Sequence, residues 1–475
     1  MSAPKSFLEK TWASHIVSPI DRHTDLLYID RLFLHELTGA ATIRQLEAAN
    51  RSARRPDLVF TTIDHVVDTQ EGRTRNQSPA SLGSQLIKET RAAAKKHGFR
   101  LFDIGDTRQG IVHVISPELG IALPGLTIVC GDSHTCTVGG IGALGWGIGS
   151  TDSEQVLATQ SLAMRRPKSM RVTVSGTPPP GVSAKDIVLL LTRKIGVNGG
   201  IGHAIEYAGK AVECLDIEAR LTLCNMTSEL GAKYGYVPPD DKTFQYLYGR
   251  EFSPRGDAWD KAVTYWKSIA TDPEAAFDSE FSLDCSDLQP QVSWGITPQQ
   301  VISIGERIPD PMGIGDAAQR ADMIRALSYM NVSPGDAIEG IHIDAAYIGA
   351  CTNARLSDLR SAANILRGRK VADGIIAICV PGSMETKAQA ELEGLDVVFK
   401  SAGFEWHDAG CGLCGHMGND RLERKRVIST TNRNFIGRQG PGTRTHLASP
   451  ATVAASAVAG SIADVRKIPA VEIIL

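Results

Sequence analysis

The sequence predicts an α/β protein built on parallel sheets, and two observations carry that prediction. Short apolar runs repeatedly end in clusters of Gly, Asp, Ser, Thr and Asn, and each cluster leads into a helix-forming stretch. Strand, polar loop and helix in that order mark crossover units whose strands are buried on both faces. The second observation is where the reactive residues fall. Cysteines, histidines and carboxylates gather just past the apolar runs, and in parallel sheets the loops at the carboxyl ends of strands are where ligands bind.

Each unit can be read in turn. Leu126–Cys130 (LTIVC) runs into GDSHT. Ile343–Ile348 (IDAAYI) runs into GACTN and then into the helix-forming ARLSDLRSAANIL, and Gly374–Val380 (GIIAICV) runs into PGSMETKAQAELE. Between Asp257 and Ile269, Trp259, Ala262, Val263, Trp266 and Ile269 recur at helical spacing, which predicts a core-facing helix face. The run Ala451–Ala459 predicts a core helix followed by a terminal strand. Composition shifts near Arg166–Ser169 and between Ser282 and Thr297 divide the chain into three units, residues 1–168, 169–284 and 285–475. No strong internal repeat is visible.

Length and charge exclude whole classes. At roughly 100–200 residues per domain, 475 residues allow about three compact units. Fifty Lys and Arg against 53 Asp and Glu leave a net charge of −3, so no long-range field favours nucleic acid or an anionic membrane. No stretch reaches the ~18 apolar residues of a membrane span. The opening MSAPKSFLEKTWASHIVSPIDRH lacks a secretory h-region. A cytoplasmic protein is expected.

Six of the nine cysteines, Cys130, Cys136, Cys214, Cys224, Cys285 and Cys379, stand alone in apolar contexts and read as small buried hydrophobes. Gly140-Ile-Gly142-Ala-Leu-Gly145 matches a dinucleotide-loop pattern but follows no strand directly and has no acidic residue well placed downstream. It reads as a small-residue packing surface.

Cys411-Gly-Leu-Cys414 forms a C-x-x-C pair, and Cys351 sits in the loop Gly349-Ala-Cys-Thr-Asn353 after a predicted strand. Spacing leaves three readings open: a redox dithiol, a zinc site completed by His407 or His416, and an iron–sulfur cluster. Gly349, Ala350, Gly410, Gly412 and Gly415 suit close approach to a bulky inorganic core. Cys351 is expected at a helix N-terminus, where the dipole favours a thiolate. Three thiolates on a four-iron cluster would leave one iron open to a substrate oxygen.

The remaining candidates fall around other strand ends. Asp64-His65 lies in FTTIDHVVD, His113 in GIVHVISPE, Asp132-Ser133-His134 in CGDSHT, and Asn225 and Glu229 in CNMTSELGA. Together they offer His–carboxylate pairings able to set tautomers and shift pKa values for proton transfer. Arg433 and Arg438 follow in TTNRNFIGRQGPGTRTH, where two guanidinium forks would suit a substrate with several carboxylates.

CGDSHT, YIGACTN, C-G-L-C and TTNRNFIGRQG, in this order, resemble the aconitase/isopropylmalate dehydratase superfamily, and within it the large-subunit branch of the isopropylmalate dehydratases. The likeness runs from about Leu8 to Arg466. It implies an aconitase-like α/β fold, with three α/β/α subdomains around a [4Fe–4S] cluster held by Cys351, Cys411 and Cys414. It implies that Asp64 and His65 protonate a departing hydroxyl, with His113, Asp132, His134 and Glu229 as supporting pairs. His35, Ser133, Asn225, Asn432, Arg433 and Arg438 would contact substrate. The activity implied is a hydro-lyase moving a hydroxyl on a 2-alkyl-malate through an alkene.

Some positions depart from the family pattern. YIGACTN and GCGLC replace YIGSCTN and GCSMC, and Ala40-Ala41 replaces Pro-Gln. SELGAKYGYV replaces IEAGARAG, which is expected to put Tyr234 and Tyr236 near the active-site segment. These changes fit a relative acting on another 2-alkyl-malate, such as an acid of the methylmalate, dimethylmalate or homoaconitate type, as the alternative to isopropylmalate. Only ~35 residues follow TTNRNFIGRQG, fewer than the ~50 of a small domain, so the family's swivelling fourth domain, which carries the catalytic base, is expected on a separate small subunit. The reading from another class, an RNA-binding regulator in the cluster-free state, wants a basic surface that a net charge of −3 does not supply.

Overall fold

The computed structural model describes residues 3–468, and the expected terminal strand lies outside them. Three parallel sheets organise the chain. In the first, the spatial order is Arg100–Phe102, Val59–Thr62, Arg31–His35, Thr127–Cys130, Leu144–Gly147, with every neighbouring pair parallel. The winding direction reverses between Arg31–His35 and Thr127–Cys130, which opens a crevice at the carboxyl ends of those two strands.

The third sheet repeats that order with different residues: Glu405–Trp406, Ile376–Cys379, Ala345–Ile348, Arg426–Ser429, Arg444–Leu447, again all parallel. Its crevice lies between Ala345–Ile348 and Arg426–Ser429. The repeat is one of topology, so the residues themselves need not repeat. Between these two sheets in sequence, Tyr234–Tyr236, His203–Ala208, Lys168–Ser175 and Ser279–Asp284 form a four-stranded parallel sheet.

The expected strands occur as Thr127–Cys130, Ala345–Ile348 and Ile376–Cys379, and helices follow at Leu356–Leu366 and Met384–Leu392. Helix Asp257–Ile269 buries Trp266 and Ile269, and Trp259 packs edge-on to Trp266 with ring centroids 5.3 Å apart. Its tryptophans belong to the core, Trp266 within it and Trp259 packed against it, whereas Tyr265 is exposed. Helix Pro450–Ala459 is core as well. Among the described residues no helix is long and apolar enough to cross a membrane.

The glycine run packs as expected. Residues Ser133–Ile141 form a tight 3-10 segment against helix Ile217–Asn225, and a Cβ on Gly140 would stand 2.6 Å from the Leu221 backbone nitrogen. Two expectations fail. Cys214 is exposed, whereas the other five lone cysteines are buried. It ends a five-residue helix, Lys210–Cys214, whose inner face is supplied by Ala211 and Val212. Tyr234 and Tyr236 point away from the reactive loops into the first core, where Tyr236 meets Phe7 at 5.0 Å and Tyr234 meets Trp146 at 5.3 Å. Alternation along a strand put both rings on the same face, the one covered by hydrophobic neighbours.

Candidate active site

The carboxyl ends of the two outer sheets and a helical turn of the middle unit meet at one place. Cys411 N–H donates to the Asp64 carbonyl at 2.8 Å. Asn225 Nδ2 stands 3.1 Å from Cys351 Sγ. Arg433 donates from Nε to Glu229 at 2.8 Å and from a terminal nitrogen to Ser133 Oγ at 2.9 Å. A cavity of about 420 Å³ opens there, lined in part by Asp132, Ser133, Ser228 and Arg433.

A continuous chain of histidines and carboxylates crosses the crevice. His65 Nδ1 lies 2.6 Å from Asp64 Oδ1, and its Nε2 lies 2.9 Å from Asp132 Oδ2. His134 sits 3.2 Å from Asp132 and 3.0 Å from Glu229 Oε1. His113 approaches Asp132 at 3.5 Å, and both its ring nitrogens are buried without a hydrogen-bond partner among the described residues. His35 stacks on His65 with centroids 3.9 Å apart.

Burial and charge pull these groups in opposite directions. Burial would lower His65, but Asp64 and Asp132 on its two nitrogens hold it well above the ordinary histidine value. Burial would raise Asp132, and His113, His134 and His65 together keep it well below the carboxylate range. Asp64 and Glu229 behave the same way, held down against burial by His65 and by His134 with Arg433 respectively. Burial likewise opposes a raised His134, which Glu229 and Asp132 sustain. His35 is the contrast: burial and the neighbouring His65 charge bring it down to about 3, so it is neutral. The site therefore stores a proton on His65 between two ionised carboxylates.

The cysteine loops follow from the third sheet. Tyr347 on strand Ala345–Ile348 donates its hydroxyl to the Cys411 carbonyl at 3.1 Å and accepts from Leu413 N–H at 3.2 Å, pinning the C-x-x-C turn. Gly412 takes a left-handed φ of +53°, and a Cβ there would stand 2.7 Å from the Tyr347 hydroxyl. Only glycine fits that turn.

The sulfurs suit a cluster. Among the described residues, one group of three or more His, Cys, Asp or Glu has its ligand atoms within 4.8 Å of one another: His35, Glu36, Asp64 and His65. The three thiols are not such a group, whereas a tetrahedral zinc ion with Zn–S of about 2.3 Å needs sulfurs about 3.8 Å apart. His407 has both ring nitrogens engaged, by Thr69 at 3.1 Å and Glu405 at 3.3 Å, His416 Nε2 lies 2.7 Å from Asp420, and among the described residues neither histidine is gathered with the three cysteines as a ligand set. Amide and guanidinium groups instead surround the sulfurs: Asn432 Nδ2 at 3.7 Å from Cys351, and Arg438 at 3.5 Å from Cys414. Such donors are what sulfur ligands of an iron–sulfur cluster take from the protein around them.

One expectation about Cys351 is overturned. It does not stand at a helix N-terminus: the next helix begins at Leu356, with Arg355 as its cap. Burial, with Asp132 next, pushes its thiol up well above the ordinary value. A tight Thr-Asn turn separates the strand from the helix, and the dipole acts only over the first turn of a helix.

Sequence reading missed two charged groups here. Glu36 is fully buried and accepts the backbone N–H groups of Asp64, His65 and Val66 at 3.0, 2.6 and 2.6 Å, so it shapes the loop that presents the Asp64–His65 pair. Its signal was the carboxylate next to His35 at a strand end. Lys185 is also fully buried, and its ammonium donates to the Thr430 and Thr431 carbonyls. Its signal was a charged Lys-Asp pair opening the otherwise apolar run AKDIVLLL.

Comparison with known proteins gives the chain's family. The model of the aconitase family (aconitate hydratase) matches residues 9–460. A relative in Bradyrhizobium diazoefficiens, 3-isopropylmalate dehydratase large subunit 1, is 49% identical over 463 residues, covering 97% of this chain and 96% of the relative. The crystal structure of Thermococcus kodakaraensis aconitase X in its holo form aligns over 90% of this chain and 89% of that one, at 12% identity and a TM-score of 0.47. On the family match and the near-full-length relative, the chain belongs to the aconitase family and is a hydro-lyase.

Proposed function

We propose that the chain is the large subunit of a two-chain dehydratase that moves a hydroxyl on a 2-alkyl-malate such as isopropylmalate. The observation that carries this reading is the convergence in one crevice of three cysteines, His65 held between Asp64 and Asp132, and two arginines. The relative named 3-isopropylmalate dehydratase large subunit supports both the substrate class and a small-subunit partner. Subdomains at 1–168, 169–284 and 285–475 are supported by the parallel sheets, whose strands fall in one segment each, Lys168 aside.

Cys351, Cys411 and Cys414 would hold a [4Fe–4S] cluster, which when bound supplies Lewis acidity toward the substrate hydroxyl and carboxylate. His65, protonated between Asp64 and Asp132, gives its proton to the departing hydroxyl so that water leaves. Asp132 and Glu229 hold His134 and His113 around that water. The forks of Arg433 and Arg438 take substrate carboxylates, which also stabilises the charge that develops when the proton alpha to a carboxylate is removed. The base for that proton belongs to the small subunit. Loss of the alpha proton and of hydroxide leaves a C=C bond, and returning water to the neighbouring carbon gives the isomer.

The test is anaerobic reconstitution with iron and sulfide, with and without the small subunit, on a panel of 2-alkyl-malates. Turnover is expected only when both chains are present, and Cys351→Ser should remove the broad brown absorbance along with activity. Full activity of an iron-free preparation, or of the large chain alone, would overturn the proposal.

A further inference from the structure

Lys185 occupies an unusual position for a charged side chain. It is the second residue of helix Ala184–Ile195 in the middle unit and is wholly buried. Its Nζ donates to the Thr430 carbonyl at 2.8 Å and to the Thr431 carbonyl at 2.7 Å. Among the described residues its ammonium has no carboxylate within ion-pairing distance. The charged and titratable groups that face it from further away include Glu229, Asp358, Cys351 and Cys414, with Asp186 beside it on its own helix. A buried ammonium bonded only to neutral carbonyls is a costly arrangement, so its use is to be sought in the geometry it imposes.

That geometry is specific at both ends. The helix start is anchored by Asp186, whose carboxylate accepts from Ser183 N–H at 2.8 Å and from Gln291 N–H at 2.8 Å, so Lys185 leaves a rigid base. At the other end, Thr430 N–H donates to the Tyr347 carbonyl at 3.1 Å. The Thr430 hydroxyl accepts from Gly349 N–H at 2.9 Å and donates to the Gly349 carbonyl at 2.9 Å. The carbonyls that Lys185 grips therefore belong to the turn that leads from strand Arg426–Ser429 into Asn432 and Arg433, and that turn is tied to the loop of Cys351.

We propose that Lys185 is a positioning residue: by holding the Thr430 and Thr431 carbonyls it sets where Asn432 stands against Cys351 and Cys414, and where Arg433 stands against Glu229 and Ser133. Burial brings its ammonium down to about 8, which leaves it the charged donor at neutral pH. It acts across the join between the middle and third units, the same join that the Glu229–Arg433 pair spans.

The proposal deepens the functional reading and rests on it for the substrate role of Arg433, so one of its two readouts needs no activity. Hydrogen exchange of the full chain should show the amides of residues 430–434 opening about tenfold faster or more in Lys185→Met, with helix Ala184–Ile195 still protected. In the reconstituted two-chain enzyme, Lys185→Met should raise KM for the dicarboxylate about tenfold, and should add less than threefold on an Arg433→Gln background, because both changes remove one interaction. Where Lys185→Met does not fold, Lys185→Gln, which keeps a donor but shortens the reach, is read in the same two ways. Unchanged exchange at 430–434, or a KM effect that multiplies fully with Arg433→Gln, would overturn the proposal. If no 2-alkyl-malate is turned over by the wild type, the functional reading fails while the exchange measurement still decides the role of Lys185.

Discussion

Replacing Glu229 by Gln isolates what one negative charge does in the crevice. Glu229 is 4% exposed, and its Oε1 accepts from His134 at 3.0 Å and from Arg433 at 2.8 Å while Oε2 faces Ser228 Oγ at 3.0 Å. Glutamine has the same shape: its carbonyl oxygen can keep the first two partners, and its amide can donate to Ser228. The contacts survive and the charge does not. Each hydrogen bond between charged partners is worth about 1.5–3 kcal/mol against about 1 kcal/mol for a neutral one. Two such bonds weakened together should cost about 2–3 kcal/mol of transition-state stabilisation, or roughly 30- to 150-fold in kcat/KM. His134 loses the first of the two carboxylates that hold it above its ordinary value, so it gives up its proton at lower pH and the alkaline limb of the pH–rate profile should move down. The assay is steady-state kinetics of the reconstituted two-chain enzyme, with a melting curve to confirm folding. A variant within threefold of wild type and with an unmoved pH profile would refute the proton chain.

The other expectations are more local. Arg438→Lys keeps the charge but loses the planar fork beside Cys414, and should cost about 1–3 kcal/mol in kcat/KM; unchanged kinetics would remove Arg438 from the site. Gly140→Ala drives a methyl to 2.6 Å from the Leu221 backbone, and should destabilise by about 3 kcal/mol or more, read as a fall in the urea midpoint; an unchanged midpoint would show that the segment yields. His446 is buried with its Nδ1 2.7 Å from the Ser293 carbonyl, and burial with Arg426 beside it brings its pKa down to about 3. An unfolded histidine protonates near 6.5, so this group's contribution is present above that pH and is lost as pH falls toward 3. Between pH 6.5 and 5 wild type should lose about 1.6 kcal/mol that His446→Gln does not lose, and parallel urea curves for the two proteins would contradict it.

How far the sequence reaches depends on the range of the forces involved. The strands, the core face of Asp257–Ile269 and the glycine packing run were legible because each shows as a residue pattern within a short stretch, although the surface the glycines pack against, at Leu221, belongs to a distant helix. The same holds for the placement of Cys351, Asp64 and Asp132 just past strand ends, where backbone geometry alone puts them on one edge of a sheet. The expectation of a helix dipole at Cys351 failed on a local detail, the length of the turn before Leu356. Tyr234 and Tyr236 failed because closeness in sequence to Glu229 says nothing about which face of a strand is covered.

What the sequence by itself determined is the set of reactive residues and the sheet edges that carry them. Which residue answers which was decided by the tertiary structure. Arg433 meets Glu229 across 204 positions and Ser133 across 300, and Lys185 reaches Thr430 across 245. No periodicity or spacing encodes those pairings, because they exist only once three sheets have packed against one another. Burial then makes each charge depend on its partner, so the raised His65 and the lowered Asp132 are properties of the assembled crevice rather than of any stretch of chain.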